Sequence, residues 1–288
     1  MNDFVIFTDS GCDISEELLA AWGVQCEYLT FRFYDSEKEY QGNEMPSAEF
    51  FAKMRAGGIA KTAAVNNEQF AAAFSRVLDE GKDVLYIGLS SGISNTFNAG
   101  RIAAEECAEK YPDRKVIAVD SLSASSGLGL LVYLATEKKK EGSGVEEVAA
   151  FVTETRTSLS HWFTVDDLVY LKRGGRVSST AAFVGNLLGI KPVMHVDNEG
   201  KLIPMMKVRG RKNALAELAK QYKQTAVKPA TGHVYICQAD CKSEAEDLAR
   251  MLREQNGVEV ELITDISPVI GAHAGPGTIA LFFVANHR

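Results

Sequence analysis

The sequence predicts an α/β protein of two domains: an N-terminal Rossmann-like domain with a parallel sheet, then an α+β domain with a mixed sheet. In the first half, apolar runs of strand length alternate with stretches of helical periodicity. In the second half, the hairpin signal Asn198-Glu199-Gly200 lies between two apolar runs. The length of 288 residues also exceeds the usual size of a single domain. We therefore predict domains of residues 1–158 and 159–288.

The first half is predicted to form three strand–helix units. In chain order these are strand Phe4–Phe7 with helix Ser15–Trp22, strand Val84–Ile87 with helix Phe97–Tyr111, and strand Val116–Val119 with helix Ser125–Glu141. Each strand is followed by Asp-Ser or Ser-Ser, so polar side chains are expected at the carboxyl edge of a parallel sheet. Open parallel sheets bind ligands at that edge.

Shorter signals complete the predicted elements. Between the first two units, Asp35–Lys38 is predicted to be a hairpin turn, and Ser47–Gly57 a helix that ends at glycine. The other predicted helices begin after Gly144, near Asn67, at Arg211–Gln224 and at Ser243–Gln255. The second half is predicted to contain the strands Lys191–Val196, Leu202–Val208, Val234–Cys237 and Ile279–Val284.

Composition and charge exclude several classes of function. The formal net charge of −7 argues against a broad nucleic-acid surface, which requires a concentrated basic face. No apolar run approaches the roughly 18 residues of a membrane span, and no cleavable leader is apparent, so we expect a cytoplasmic protein without a membrane span. The five cysteines lack metal-ligand spacing and are expected to be reduced thiols. No metal site is predicted, because Asp9 and Asp120 at strand ends are expected to accept hydrogen bonds from loop N–H groups.

A loop rich in hydroxyl groups, Ser90–Thr96, lies between a predicted strand and a predicted helix. Its small side chains leave backbone N–H groups within reach, and the helix that follows presents the positive end of its dipole. These features favour an anion or an oxyanion as the ligand.

The same loop also suggests an enzymatic alternative. Gly88-Leu89-Ser90-Ser91-Gly92 matches the G-x-S-x-G pattern of a serine hydrolase, and Asp240 or Asp265 precedes His273 in the order of a catalytic triad. However, Ile93–Thr96 prolong the loop beyond the sharp turn that such a nucleophile requires. We therefore favour a structural or ligand-binding loop over catalysis by Ser90.

Basic and glycine-rich motifs form the remaining candidates. Gly174 is predicted to cap a helix in the left-handed conformation, with Lys172 and Arg173 at the negative end of its dipole. Arg173 and Arg176 can hold a phosphate or the carboxylates of a partner. The basic run from Lys207 to Lys212, which contains Arg209, would usually be a solvated helix start.

Two motifs rich in small residues are further candidates for ligand contact. Gly271–Gly277 is predicted to be a rigid turn that presents His273, and Lys61–Asn66 a loop before a helix capped by Asn66 or Asn67. Either motif alone is weak evidence for a ligand-binding site.

Together these motifs resemble the DegV family of bacterial fatty-acid-binding proteins, which includes the acyl-binding subunits of fatty acid kinase. The resemblance spans nearly the whole chain. Its motifs are Thr8-Asp9-Ser10 with Asp13, Lys61-Thr62, Ser90-Ser91-Gly92-Ile93-Ser94-Asn95-Thr96-Phe97, Asp120-Ser121, Gly127-Leu128-Gly129, Leu171-Lys172-Arg173-Gly174-Gly175-Arg176, Lys191-Pro192 and the turn Gly271–Gly277.

The resemblance implies a carrier that encloses one long-chain fatty acid, of the palmitate, stearate or oleate class, between two domains. It implies that Thr62 and Ser94 contact the carboxylate with His273 nearby, and that Arg173 engages a partner kinase, with Arg209 as a further position. The kinase would supply ATP and metal to form the acyl phosphate. The chain itself would then need no cofactor and would not be an enzyme.

Two further expectations concern the details of the site. The family often has Thr-Ser-Gln-Pro where this chain has Thr62-Ala63-Ala64-Val65, and Ser-Gly-Thr-Tyr where it has Ser94-Asn95-Thr96-Phe97. Asn95 is therefore expected to narrow the head-group site or to add an amide donor. Phe183, Leu187 and Ile190 have partly helical spacing that suits the lining of an acyl tunnel, although core packing explains them equally well.

Overall fold

The computed structural model describes residues 3–177, 189–227 and 232–288. The strands are β1 Phe4–Asp9, β2 Val24–Glu27, β3 Thr30–Phe33, β4 Tyr40–Gln41, β5 Ala60–Ala63, β6 Asp83–Gly88, β7 Val116–Asp120, β8 Leu159–Thr164, β9 Ile190–Val196, β10 Leu202–Arg209, β11 Val234–Gln238, β12 Leu262–Asp265 and β13 Ile279–Val284. The helices are α1 Glu16–Trp22, α2 Ser47–Arg55, α3 Asn67–Asp79, α4 Thr96–Lys110, α5 Ser126–Lys140, α6 Val145–Thr155, α7 Val169–Arg173, α8 Arg211–Thr225, α9 Lys242–Asn256 and α10 Pro268–Ala274.

The N-terminal sheet is parallel, as the sequence predicts. Its strand order is β2-β1-β6-β7. Every residue of β6 is buried, which accounts for its continuous apolar character. Because β1, β6 and β7 are parallel neighbours, their carboxyl ends bring Asp9, Ser90 and Asp120 to one edge of the sheet.

A small antiparallel sheet has the order β4-β3-β5. It adjoins this edge through Leu29, just before β3, whose amide donates to Oγ of Ser10 after β1 at 3.0 Å. The predicted turn at Asp35–Lys38 is confirmed, because β3 and β4 pair across it. The prediction that residues 61–63 form a loop is wrong, because they belong to β5, and Thr62 pairs with Phe31 of β3. Ala, Lys and Thr give little strand signal, so pairing with a distant strand decides the conformation of this segment.

The third sheet is mixed and uses only strands that follow residue 158. Its order is β10-β9-β8-β13-β11-β12, with β11 and β12 as the parallel pair. The predicted hairpin is confirmed as β9–β10. On one face, residues such as Leu215, Leu218 and Leu248 pack into a core of their own. On the other, Phe163 and Phe282 join a core that also contains Phe4 and other residues of the first half. The domain boundary therefore stays a prediction.

Two glycine motifs differ in detail from prediction. Gly174 has a helical φ of −71°, and the left-handed residue is Gly175, with a φ of +73°. Gly174 is instead required by crowding, because a Cβ there would overlap Nδ1 of His273. The predicted turn at Gly271–Gly277 starts later than expected, since α10 continues to Ala274 and only Gly275 and Gly277 have positive φ.

Candidate functional site

A narrow cavity lies between the carboxyl edge of the parallel sheet, α10 and the inner face of the mixed sheet. Its volume is about 100 Å³, several times the roughly 10–15 Å³ that one water needs. Most of its wall is apolar, with contributions from Leu29, Ile93, Phe163, Val196, Val269 and Phe282. A wall of this composition suits a slender apolar ligand.

Polar side chains from β5 and α10 meet at this cavity. Oγ1 of Thr62 lies 2.8 Å from Nε2 of His273, although the two residues are 211 positions apart in the chain. Both residues line the cavity. Ser267 caps α10 and so fixes the start of the helix that carries His273. Gly271 allows the same helix to approach Phe51, where a Cβ would clash.

His273 is held in its neutral form at pH 7. Burial lowers its pKa to about 4, and the nearby positive charge of Arg176 adds to the effect. A neutral imidazole next to a hydroxyl group has one ring N–H and one ring acceptor to share between Thr62 and a ligand. An anion entering this position would favour the protonated ring.

Arg176 forms part of the cavity wall, where the sequence analysis had expected a partner-docking residue. Its guanidinium group donates from Nε to the Ile93 carbonyl at 3.0 Å and from Nη1 to the Gly174 carbonyl. Burial lowers its pKa from the usual value, but an arginine remains cationic at pH 7. The cavity therefore has a cationic group near the Thr62–His273 pair.

Ser94 lines the cavity at the entrance to α4, as the sequence suggested. Its Oγ accepts a hydrogen bond from the Thr96 amide at 3.2 Å and lies 3.0 Å from Oγ1 of the same residue. Asn95 is exposed and does not belong to the described wall of the cavity; its Oδ1 accepts a long hydrogen bond from Asn98. The structure thus brings Thr62, Ser94 and His273 to one cavity and leaves Asn95 at its outside.

Ser90 is fully buried and has a structural role. Its Oγ donates to the Gly200 carbonyl at 2.9 Å and accepts from the Gly92 amide at 3.1 Å, so the hydroxyl joins the loop to the β9–β10 hairpin. The proposed triad partners are engaged elsewhere: Asp240 pairs with Arg55 at 2.7 Å, Asp265 accepts a hydrogen bond from Nε2 of Gln238, and His273 is hydrogen-bonded to Thr62. This arrangement does not support a serine hydrolase.

The other predicted residues occupy different surroundings. Arg173 is exposed, with its guanidinium 5.8 Å from the centre of the Tyr170 ring. Arg209 is exposed at the end of β10, and Ile190 begins β9 outside the described cavity wall. Phe183 and Leu187 lie outside the described residues.

Asp9 and Asp120 accept hydrogen bonds from loop amides, as predicted. Asp9 accepts from the amides of Gly11 and Leu89 and from the Tyr86 hydroxyl, at 2.8–3.0 Å. Burial raises the pKa of Asp9 to about 6. Asp120 accepts from two loop amides at 3.0 and 3.2 Å. In the described part of the chain, no cluster of three or more metal-ligating side chains is present.

The sequence analysis missed His161 altogether. It lies on β8, is 1% exposed and lines the cavity. Burial lowers its pKa well below the usual range. The sequence did contain a signal for it. Side chains of a strand point alternately to its two faces, so His161 shares a face with Phe163, opposite to Trp162.

None of the helices within residues 3–177, 189–227 and 232–288 is both long enough and apolar enough to cross a membrane. The five cysteines are free thiols.

The fold and the cavity define a class of α/β protein in which an apolar cavity with a polar, cationic wall segment lies beneath the edge of a parallel sheet. The chain belongs to the DegV family, whose model, described as an uncharacterised protein of the DegV family, matches residues 3–286.

Related proteins align over almost their full length. A DegV domain-containing protein of Clostridium perfringens is 40% identical over 291 residues, covering 100% of this chain and 99% of the relative. A solved structure described as fatty acid binding of a DegV family protein from Thermus thermophilus has 30% identity and a TM-score of 0.86, covering 99% of this chain and 100% of that one. DegV of Bacillus subtilis, described as a fatty acid binding protein, has 27% identity and a TM-score of 0.85, with the same coverage. The resemblance drawn from the sequence motifs is therefore confirmed.

Proposed function

We propose that this protein binds one long-chain fatty acid, with the acyl chain in the apolar cavity and the carboxylate at Thr62, Ser94, His273 and Arg176. The observation that carries the proposal is the meeting of these polar groups, from four distant segments, on the wall of one apolar cavity. The fatty-acid binding described for the relatives from Thermus thermophilus and Bacillus subtilis supports it.

The chemistry of the cavity suits both parts of such a ligand. A sixteen-carbon acid has about 14 methylenes, worth roughly 0.8 kcal/mol each when buried, or about 11 kcal/mol in total. Association opposes this with about 4–15 kcal/mol, so tight binding needs a close-fitting wall. A buried carboxylate must also be hydrogen-bonded. Two hydroxyl groups, an imidazole and a guanidinium group supply the donors.

We further propose that the protein acts as a carrier that presents the carboxylate to an ATP-dependent fatty acid kinase in the cytoplasm. The exposed guanidinium of Arg173 lies only three residues from Arg176 at the cavity. A partner that docks on Arg173, with Arg209 as a further contact, would approach the head group. ATP and metal would come from the kinase, so the chain would form no acyl phosphate alone.

Native mass spectrometry of the protein purified from bacterial cells tests the binding proposal. We expect an added mass corresponding to one fatty acid, and a 1:1 complex after palmitate or oleate is added to stripped protein. Decyl alcohol serves as the control for non-specific uptake of a hydrocarbon chain without a carboxylate. Absence of any acyl mass together with failure to bind added fatty acid would overturn the proposal.

A further inference from the structure

The cavity shares one wall with a second hollow of the molecule, a groove of about 420 Å³. Glu16, Asn43 and Asp265 line this groove and are exposed, so the groove opens to solvent. A larger share of its lining is polar than in the cavity. Its hydroxyl groups belong to Ser10, Ser15, Tyr28, Ser47, Thr264 and Ser267.

The wall between the cavity and the groove is thin. Asp265 and Ser267 line the groove, whereas Ile266 between them lines the cavity. A backbone hydrogen bond also crosses the wall, because the amide of Leu29 on the cavity side donates to Oγ of Ser10 on the groove side at 3.0 Å. At these positions a single layer of residues separates the two hollows.

A hydrogen bond between two buried side chains forms another part of this shared wall. Oγ of Ser125, which is 5% exposed and lines the cavity, donates to Oδ2 of Asp13, which is 7% exposed and lines the groove. The other oxygen of Asp13, Oδ1, accepts from the Ser267 amide at 3.0 Å. Burial raises the pKa of Asp13 to about 6, so the carboxylate is mainly ionised at pH 7. Hydrogen bonds to a charged group are the stronger class, and this part of the wall therefore resists displacement.

The Ser125–Asp13 pair and the proposed head-group site lie at opposite ends of α10. Asp13 holds the amide of Ser267, which is the N-cap of α10. His273 is the next-to-last residue of the same helix and is hydrogen-bonded to Thr62. An acyl chain that starts at Thr62 and His273 and follows α10 back to its first residue therefore reaches Ser125.

We propose that the Ser125–Asp13 pair sets the upper limit of acyl-chain length for this protein. The inference rests on the proposed fatty-acid binding and adds a length limit to it. Each buried methylene is worth about 4-fold in affinity, whereas a hydrogen bond to a charged group is worth roughly 10- to 150-fold. A chain that is one methylene too long loses more by displacing the pair than it gains, so retention should fall sharply at one length.

Native mass spectrometry of stripped protein tests this limit, with an equimolar mixture of even-numbered saturated acids from laurate to behenate. In Ser125→Gly, the first acid beyond the limit of the unmodified protein should gain about 4- to 15-fold relative to the preferred acid, which corresponds to one or two methylenes. Glycine suits this position because Ser125 has a φ of +54°.

The matched control is Ser126→Gly. Ser126 is the neighbouring buried serine, its hydroxyl pairs with Thr264, and it lies outside the described cavity wall. This variant should keep the limit of the unmodified protein. An unchanged length profile in Ser125→Gly, or the same shift in both variants, would overturn the proposed limit.

A measurement on the unmodified protein makes the test independent of how the variants fold. The longest acid that it retains, labelled with ¹³C at the terminal methyl, should give nuclear Overhauser effects to protons of Ala124 and Ser125 on the cavity wall. Effects to Val196 and Leu202 of the β9–β10 hairpin instead would show that the tail runs elsewhere, and would overturn the role of Ser125 while leaving fatty-acid binding intact. Failure to bind any acid of the series would overturn the proposed function itself.

Discussion

Replacing Thr62 by valine removes one hydroxyl group from the proposed head-group site and preserves the shape of the side chain. The hydroxyl lies 2.8 Å from Nε2 of His273. A hydrogen bond to a charged group is worth about 1.5–3 kcal/mol, which corresponds to roughly 10- to 150-fold in the dissociation constant. We therefore expect Thr62→Val to weaken binding of palmitate within this range. Because the substitution also leaves Nε2 of His273 without its hydroxyl partner, the change in the dissociation constant should lie in the upper half of the range.

Titration calorimetry on stripped protein, with palmitate as the ligand, measures this effect. Thr62→Ser retains the hydroxyl group and should stay within a few-fold of the unmodified protein. Thr30→Val is a matched control on the neighbouring strand β3, because its hydroxyl bonds to the exposed Glu39 and lies away from the described cavity wall. It should leave palmitate affinity unchanged.

The reasoning fails if Thr62→Val binds palmitate as tightly as the unmodified protein while remaining equally stable. The same affinity loss in Thr30→Val would also refute it, because the effect would then arise from the small sheet as a whole.

Three further predictions address separate parts of the molecule. Arg173→Ala should retain fatty acid but lose kinase-dependent phosphorylation, whereas Arg176→Ala should weaken retention by native mass spectrometry; equal ligand loss in both would contradict the division between docking surface and cavity. Ser90→Ala should lower the free energy of unfolding, measured in urea, by about 1–3 kcal/mol. The control Ser91→Ala, at an exposed position, should change that free energy by less than about 0.5 kcal/mol. Labelling of Ser90 by a fluorophosphonate would contradict its structural role. For ligand-free protein, NMR should place the titration of His273 near pH 4. Because the imidazole of the unfolded chain takes up its proton at a higher pH than that of the folded protein, the stability that His273 contributes is present above about pH 6.5 and is lost as the pH falls towards 4, by on the order of 1–2 kcal/mol between pH 7 and 5. A titration midpoint near pH 6.5 would exclude this account.

Local pattern was sufficient for much of the secondary structure. The buried run Val84–Ile87 lies within β6, and Asn66 caps α3 in a capping box with Gln69. These features depend on burial periodicity and on hydrogen bonds within four residues, which neighbouring residues determine. The strand–loop–helix order is likewise local, and it predicted the loop Ser90–Thr96 as a ligand-binding loop, within which the family resemblance assigned Ser94 to the carboxylate.

Interactions between distant segments account for the errors. Residues 61–63 form a strand because β3 pairs with them. Position 174 must be glycine because a Cβ there would overlap the ring of His273, which lies about 100 residues away in the chain. Arg176 looked like a surface cation, yet its guanidinium turns toward the Ile93 carbonyl at the cavity. A sequence pattern specifies that such a side chain is charged, but it does not specify which loop will fold against it.

The sequence by itself determined the α/β class, the family and the polar edge of the parallel sheet, and it predicted Thr62, Ser94 and His273 as candidates for a carboxylate site. Only the tertiary structure decided that Thr62 and His273 share a hydrogen bond, that the Ser90 hydroxyl donates to the Gly200 carbonyl, and that His161 of β8 lines the same cavity as Thr62. The physical reason is that side-chain type and periodicity are properties of neighbouring residues. The hydrogen-bond partner of a buried polar atom depends on which distant segment of the chain folds next to that atom.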